Sequence, residues 1–448
     1  MSSRSTASLA SSFPPSVPGS PSCRSEDDIE GLAARTGALS TVARWPPAWA
    51  SSPSWPPRPG RAHFASTPFL HASPQPTLRE NLRPGQAYIL AGHAAGFTNQ
   101  LLGFLRLVTL AKRLDRTAIL ADMPPIHGEG STARLSYFFD LDRLSSLTNI
   151  SIAELSDAKT KDSTLANVES LSCWGPVGHH HPLHADHSIK TDFWPFPANL
   201  GHGHTTTFQA IEIIQAEDQT PWLEAHAQTA YPDSKARPPF PTPAVFCLHN
   251  TYYVQDYLFQ NGRSLPGSLL LEGLPSHGPE WAQVGQHLHF TADVEDVVDA
   301  FLLSAAGVNL ERFVTVHIRQ GDFISGGRAL NGSQELVDVY LRGVRQVQDV
   351  LRARHIIKRD LPVIFATDSR NEHFLELLAN IGWTYLNHTR FNTVERYGGW
   401  YPGLLDSAVL SRGTGFVGTE RSTFSYLAQR RVETWNGGYG LTVSARPA

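Results

Sequence analysis

Cysteine is scarce in this chain: Cys23, Cys173 and Cys247 are the three in 448 residues. Their spacing supplies neither a zinc motif nor a disulfide framework. At most one pair could form in the folded part, so cysteine usage leaves the redox compartment open. No run of 18 apolar residues occurs, which argues against a membrane-spanning helix. No continuous apolar stretch follows the first residues, so no secretory signal is visible. Charge is modest too. The 37 basic and 41 acidic residues leave a formal net charge of −4 with no basic block, which argues against a nucleic-acid partner. The chain has no G-x-x-x-x-G-K-[ST], and its first strand-to-helix turn, GFTNQ (96–100), lacks G-x-G-x-x-G. The first absence excludes a P-loop.

What is present suits two domains with sizeable cores and a tail. Residues 1–84 hold 14 of the 32 prolines, with serine, arginine and alanine filling most of the rest. Such a segment buries no regular face and is expected to be disordered, outside the catalytic unit. The Ser-rich start, MSSRSTASLASSF, also has the composition of an organelle transit peptide. AYILAG (87–92) reads as a short buried strand. Thr98 to Leu114 has helical apolar spacing, and TAILAD (117–122) is a second strand. Together they form one βαβ unit with the turn GHAAGFTNQ. VFCLHN (245–250) reads as a further buried strand, and the rest of 151–280 follows no clear period.

From residue 312 the alternation is regular. FVTVHI (313–318), PVIFATD (362–368), WTYL (383–386) and TGFVGT (414–419) are predicted strands. Helices are predicted over 335–355, 371–381, 404–411 and 422–430. Alternating strands and helices imply a parallel sheet covered on both faces. The expected architecture is α/β, with two Rossmann-like domains facing across a cleft. Their expected ranges are 85–305 and 306–448, and the last helix could pack back on the first half. Ligands of such sheets lie beyond the carboxyl ends of the strands.

Three strand ends in the second half carry chemistry. HIRQGDF (317–323) places His317, Arg319 and Asp322 in and just after a turn. Arg319 has the planar fork that grips phosphate oxygens, or else it forms a surface pair with Asp322. Asp368 closes PVIFATD, where a carboxylate accepts from ribose or base groups, or caps the helix that follows. In GTERSTFS (418–425), Ser422, Thr423 and Phe424 open a helix whose free N–H groups favour an anion; an N-cap alone is the alternative. In the first half, Gly96, Phe97 and Asn99 sit at the strand-to-helix turn. Asn99 can donate and accept toward a sugar or acceptor hydroxyl. The histidines between His179 and His187, with His202 and His204, fall in no recognised ligand register, so no metal is expected. The sequons at Asn149, Asn331 and Asn387 matter only in a secretory setting.

GFTNQ near the start, H-I-R-x-G-D in the middle, T-D after a later strand and S-T-F near the end resemble the GDP-fucose O-fucosyltransferase superfamily. The resemblance spans roughly 86–435, and FFDLDRL (138–144) is similar to a segment of some members. It implies a GT-B fold, a GDP-fucose donor, a protein or glycan acceptor, inversion at the sugar carbon, no metal and a luminal compartment. It further implies that Arg319 holds the diphosphate and that Asp368 contacts the guanosine. Ser422, Thr423 and Phe424 would lie around phosphate and base, and Asn99 beside the reacting centre. Some members carry a glutamate base just before the Gly-Phe; here Ala95 stands there, leaving the base unassigned. A non-catalytic relative that binds a nucleotide, glycan or protein is the alternative, as is a transferase using another nucleotide sugar.

Overall fold

A computed structural model describes residues 67–93, 95–125, 132–161, 168–175, 187–197, 200–202, 205–216, 219–235, 237–252, 254–255, 279–306, 311–325, 332 and 334–444. The first sheet holds β1 (Tyr88–Ala91), β2 (Thr117–Leu120), β3 (Ile152–Glu154), β4 (Glu169–Gly175) and β5 (Ile189–Pro195). A small sheet follows from β6 (Gly201–His202), β7 (Thr205–Thr207) and, later, β9 (Val254–Gln255). Between them β8 (Val245–Leu248) returns to the first sheet, whose order is β3-β2-β1-β8-β4-β5. The second large sheet holds β10 (Val314–Ile318), β11 (Val363–Thr367), β12 (Thr384–Tyr385), β13 (Gly415–Thr419) and β14 (Tyr439–Val443). Its order is β12-β11-β10-β13-β14. Both large sheets are wholly parallel, as expected where strands alternate with helices.

The predicted elements fall where the periodicity put them, and the additions have physical causes. β14 carries a mixed exposure pattern because it is an edge strand, so its sequence lacks the continuous apolar run of the central strands. β4 exposes Ser170, and β5 exposes Lys190 and leaves Asp192 partly solvated, which hid both strands within the aperiodic middle segment. Residues 67–84, expected in the tail, are part of the fold. Leu70 and Leu78 are buried against the outer face of the first sheet. The Tyr88 hydroxyl donates to Phe69 O at 2.8 Å, and Glu169 accepts from Leu78 N at 2.6 Å. Two apolar side chains and a buried carboxylate outweigh the proline content there. The remainder of the expected tail lies outside the described residues.

One apolar cluster joins the two sheets, and each sheet packs a second cluster of its own on the opposite face. The helix Phe97–Arg113 is buried on every side along 97–111 except at Asn99, the pattern of an interior helix. The helices Tyr401–Ser411 and Thr423–Trp435 follow β12 and β13, yet their apolar faces join the same cluster as the Phe97 helix. Arg431 seals this layer. Its guanidinium is 1% exposed, donates to Ser407 Oγ at 2.8 Å and lies over the rings of Phe290, Trp435 and Phe139. Burial brings its pKa down to about 9, so it stays cationic at neutral pH. Aromatic faces supply part of the solvation that water would. Trp435 Nε1 donates to Gln286 O at 2.8 Å, tying the last helix to the segment before 306.

Cys173 and Cys247 stand opposite one another on β4 and β8 and form a disulfide with a 4.4 Å Cα–Cα separation, across 74 residues of chain. In the loop-closure picture a cross-link of this span contributes about 2–4 kcal/mol. Replacing both cysteines with alanine should lower the unfolding free energy by that amount in a denaturant titration. Thiol titration of the denatured protein should find one thiol before reduction and three after. Three thiols without reductant would disprove the bridge.

Candidate functional site

Strand order reverses in each large sheet, and each reversal opens a crevice. In the second sheet the chain runs from β10 outward to β11 and β12, then crosses to β13 on the other side of β10. In the first it runs from β1 to β2 and β3, and later enters β8 on the opposite side of β1. Side chains at the carboxyl ends of β10 and β13, and of β1 and β8, therefore face the ligand crevices of such folds.

The β10–β13 crevice gathers most of the predicted residues. Arg319 follows β10 directly and is one-third exposed. Its Nη1 pairs with Asp368 Oδ2 at 2.6 Å and its Nη2 with Asp322 Oδ1 at 2.7 Å. The pair with Asp322, raised as a surface alternative, is thus real, and Asp368 is added to it. Asp368 Oδ1 also accepts from Gln320 N at 2.7 Å. Asp368 does not cap the helix Glu372–Asn380; Asn371 does, its side chain accepting from Phe374 N. The carboxylate is spent on the turn after β10 because Gly321 lets it come close: a Cβ there would lie 2.5 Å from Asp368 Oδ2.

Ser422 is the N-cap of the helix Thr423–Trp435, its Oγ accepting from Ser425 N at 3.4 Å. The cap reading holds, and it leaves the N–H groups of Thr423 and Phe424 at the open end of the helix. His317, 6% exposed, stacks on Phe424 at 4.8 Å between centroids. Its Nδ1 lies 2.7 Å from Ser425 Oγ. Burial, and then the Arg319 charge, brings its pKa down to about 3, so the ring is neutral. Gly418 permits this packing: a Cβ would meet Ser425 Cβ at 2.6 Å.

From the first half, the helix Phe97–Arg113 points its N-terminus at the same place. Gly96 is its N-cap and no side chain caps it. Thr423 Oγ1 donates to Asn99 Oδ1 at 2.7 Å and lies 2.9 Å from Thr98 Oγ1. Bonding at Oδ1 leaves the Asn99 NH₂ end for a ligand. Phe97 differs from expectation in one respect: its ring is 5% exposed, packed near Phe139 and Trp400, so only its backbone belongs to the turn. Ala95 and Arg421, each two residues before a helix start, have φ of 62° and 66°. That left-handed backbone costs roughly 1–2 kcal/mol per residue. Both turns hold it, consistent with strain kept at functional turns.

Several contacts escaped the sequence reading. Thr419, Ser425 and Tyr340 form a buried hydroxyl cluster behind Arg319. His93 and Asn250 close β1 and β8, the second crevice. His93 Nε2 lies 2.9 Å from Ala121 O. Asn250 is 4% exposed, its Oδ1 accepting from Tyr252 N and its Nδ2 having no partner among the described residues. The HN closing VFCLHN was the available signal for Asn250. Of the histidine cluster, His179, His180, His181, His184 and His204 lie outside the described residues, as does the sequon at Asn331. His187 is buried 3.3 Å from Ser156 Oγ. Among the described residues no group of histidine, cysteine and carboxylates could hold a metal. Asp140 of DLD caps the helix Leu141–Thr148.

The neutral histidines set a pH dependence. His317 keeps a folded pKa near 3, and burial with nearby Arg143 takes His289 to about 4. Both lie below the unfolded value of about 6.5. The unfolded chain therefore binds protons that the folded one refuses, so stability is complete above about pH 6.5 and falls as pH drops. Each such histidine adds a slope of up to about 1.4 kcal/mol per pH unit. Denaturant titrations between about pH 7 and pH 5 should show the decline, and His317→Asn should shallow it. An unchanged slope in the variant would remove His317 as a source.

Residues 88–434 match the family model described as GDP-fucose protein O-fucosyltransferase. No curated protein sequence matches significantly. Among solved structures, POFUT1 in complex with GDP-fucose aligns with a TM-score of 0.50 and 15% identity, over 81% of this chain and 99% of that one. Fucosyltransferase NodZ from Bradyrhizobium aligns at 0.35 and 11%, over 81% and 100%. At such identity the first likeness speaks for the fold, two parallel α/β halves of GT-B type. The family match, which spans more than half of the chain, shows that the chain belongs to the GDP-fucose protein O-fucosyltransferase family.

Proposed function

We propose that this protein transfers fucose from GDP-fucose to a hydroxyl of a protein or glycan acceptor, with inversion and without a metal ion. One observation carries the reading: a guanidinium and two helix N-termini meet at one switch-point crevice. When the C1–O bond to the diphosphate breaks, negative charge grows on the β-phosphate. Preorganised donors aimed at that position stabilise it without reorganising. Arg319 supplies a fork of N–H groups, and the Thr423 helix supplies backbone N–H groups with the positive end of its dipole. These together do what a divalent cation does in other transferases. Asp368 and Asp322 orient the guanidinium, and the neutral His317–Phe424 stack walls the crevice without adding charge. Asn99, held by Thr423, offers its NH₂ end to the sugar or the acceptor. Ala95 has no proton acceptor, so acceleration rests chiefly on stabilising the leaving group.

Arg319→Ala removes charge-assisted hydrogen bonds of roughly 1.5–3 kcal/mol each. Turnover of GDP-fucose, hydrolysis included, should fall at least about 100-fold with the fold intact by melting curve. Arg319→Lys should recover only part of it, because an ammonium cannot grip two oxygens at once. Near wild-type turnover in the alanine variant would take Arg319 out of the mechanism. In a thermal-shift panel GDP and GDP-fucose should raise the melting temperature while UDP and ADP do not, and EDTA should leave this unchanged. Stabilisation by UDP alone would overturn the donor assignment, and loss on chelation the metal-free one.

A further inference from the structure

The ladder between β10 and β13 ends early. Its paired residues are Val314 with Gly415, Thr315 with Phe416 and Val316 with Val417, although the strands continue to Ile318 and Thr419. The strands part there, as they must at a switch point. Past the last rung, a side chain takes the place of the backbone. Thr419 Oγ1 accepts from Arg319 N at 2.8 Å and donates to His317 O at 3.1 Å. It also lies 2.7 Å from Tyr340 Oη. A hydroxyl has one hydrogen and two lone pairs. The hydrogen goes to His317 O and one lone pair to Arg319 N, so the other lone pair takes the hydrogen of Tyr340. Thr419 is thereby saturated, and Tyr340 is the donor.

All members are held. Thr419 is 1% and Tyr340 0% exposed. Thr419 N donates to Ser425 Oγ at 2.9 Å, so backbone and side chain of Thr419 are fixed together. Tyr340 sits on the buried face of the helix Gln334–Ala353. Burial raises the pKa of its hydroxyl, which stays protonated at any working pH. The backbone N–H that the Thr419 hydroxyl accepts from belongs to Arg319.

We propose that Thr419 and Tyr340 are positioning residues for Arg319: their shared hydroxyl bond sets the backbone from which the guanidinium reaches the donor diphosphate. This rests on the assignment of Arg319 to the diphosphate. Tyr340→Phe keeps the ring and removes the donor. Thr419→Val keeps the β-branched shape and removes all three side-chain bonds, whereas Thr419→Ser restores them. A misplacement of the guanidinium should appear in turnover rather than in substrate saturation.

The experiment measures GDP-fucose turnover and GDP affinity by calorimetry for each variant, alone and combined with Arg319→Ala, with melting curves beside them. Tyr340→Phe should lower kcat about 5-fold and Thr419→Val about 30-fold, with KM for GDP-fucose changing less than about 2-fold. Thr419→Ser should stay within about 3-fold of wild type. In the Arg319→Ala background neither substitution should weaken GDP binding further, because residues acting through one another are not additive. Equal losses in both backgrounds, or losses that follow the melting temperature alone, would overturn the positioning role. If GDP binds and Arg319→Ala weakens it while Tyr340→Phe and Thr419→Val change nothing, the positioning role fails alone. If GDP does not bind the wild-type protein, the donor assignment fails with it.

Discussion

Two helix N-termini meet in this molecule, and much of the structure follows from making that meeting tolerable. Each carries roughly half a positive charge, so the starts of the Phe97 and Thr423 helices repel one another. Three polar side chains, Thr98, Asn99 and Thr423, hold them together through two short hydrogen bonds. The shared core behind them, capped by Arg431 beneath its aromatic rings, keeps the helices from backing away. The arrangement is costly when empty and favourable around an anion. A nucleoside diphosphate is an anion of the right kind, and the family to which the chain belongs is named for a donor that carries one.

The charges around that point are graded by burial. Arg319 is the exposed cation, kept in place by Asp368 beneath and Asp322 at the rim, whose side chain is 62% exposed. The rim pair is worth little in water, whereas the Asp368 contact is backed by a backbone N–H and a close glycine. The described residues packed behind the Arg319 backbone are uncharged. His317 is neutral, and Thr419, Ser425 and Tyr340 are hydroxyls. A buried layer of uncharged hydrogen bonds thus backs the Arg319 turn, while its guanidinium pairs with Asp368 and Asp322.

The strand-end residues were legible in the sequence because they close apolar runs. FVTVHI, PVIFATD and TGFVGT are buried central strands, so their ends had to be crevice residues. The positions of Arg319, Asp368 and Ser422 just past strand ends were read this way. Phe97 was misjudged in part because an aromatic beside a functional turn reads the same whether its ring meets ligand or core. The helix-cap role given to Asp368 as an alternative belongs to Asn371, three residues on. Local spacing does not distinguish two polar residues that could each cap one helix.

By itself the sequence determined the α/β class, most helices and strands of the second half, and which polar residues stand at the strand-end turns. These follow from hydrophobic period and from the chemistry of single side chains, both local properties. Only the tertiary structure decided which cysteines pair, that residues 67–84 belong to the fold, and that Asn99 reaches Thr423 across 324 positions. It alone revealed that the Thr419 hydroxyl serves where the β10–β13 ladder stops. Such contacts join residues far apart in the chain. Their partners are chosen by strand order and helix packing, which no local pattern encodes.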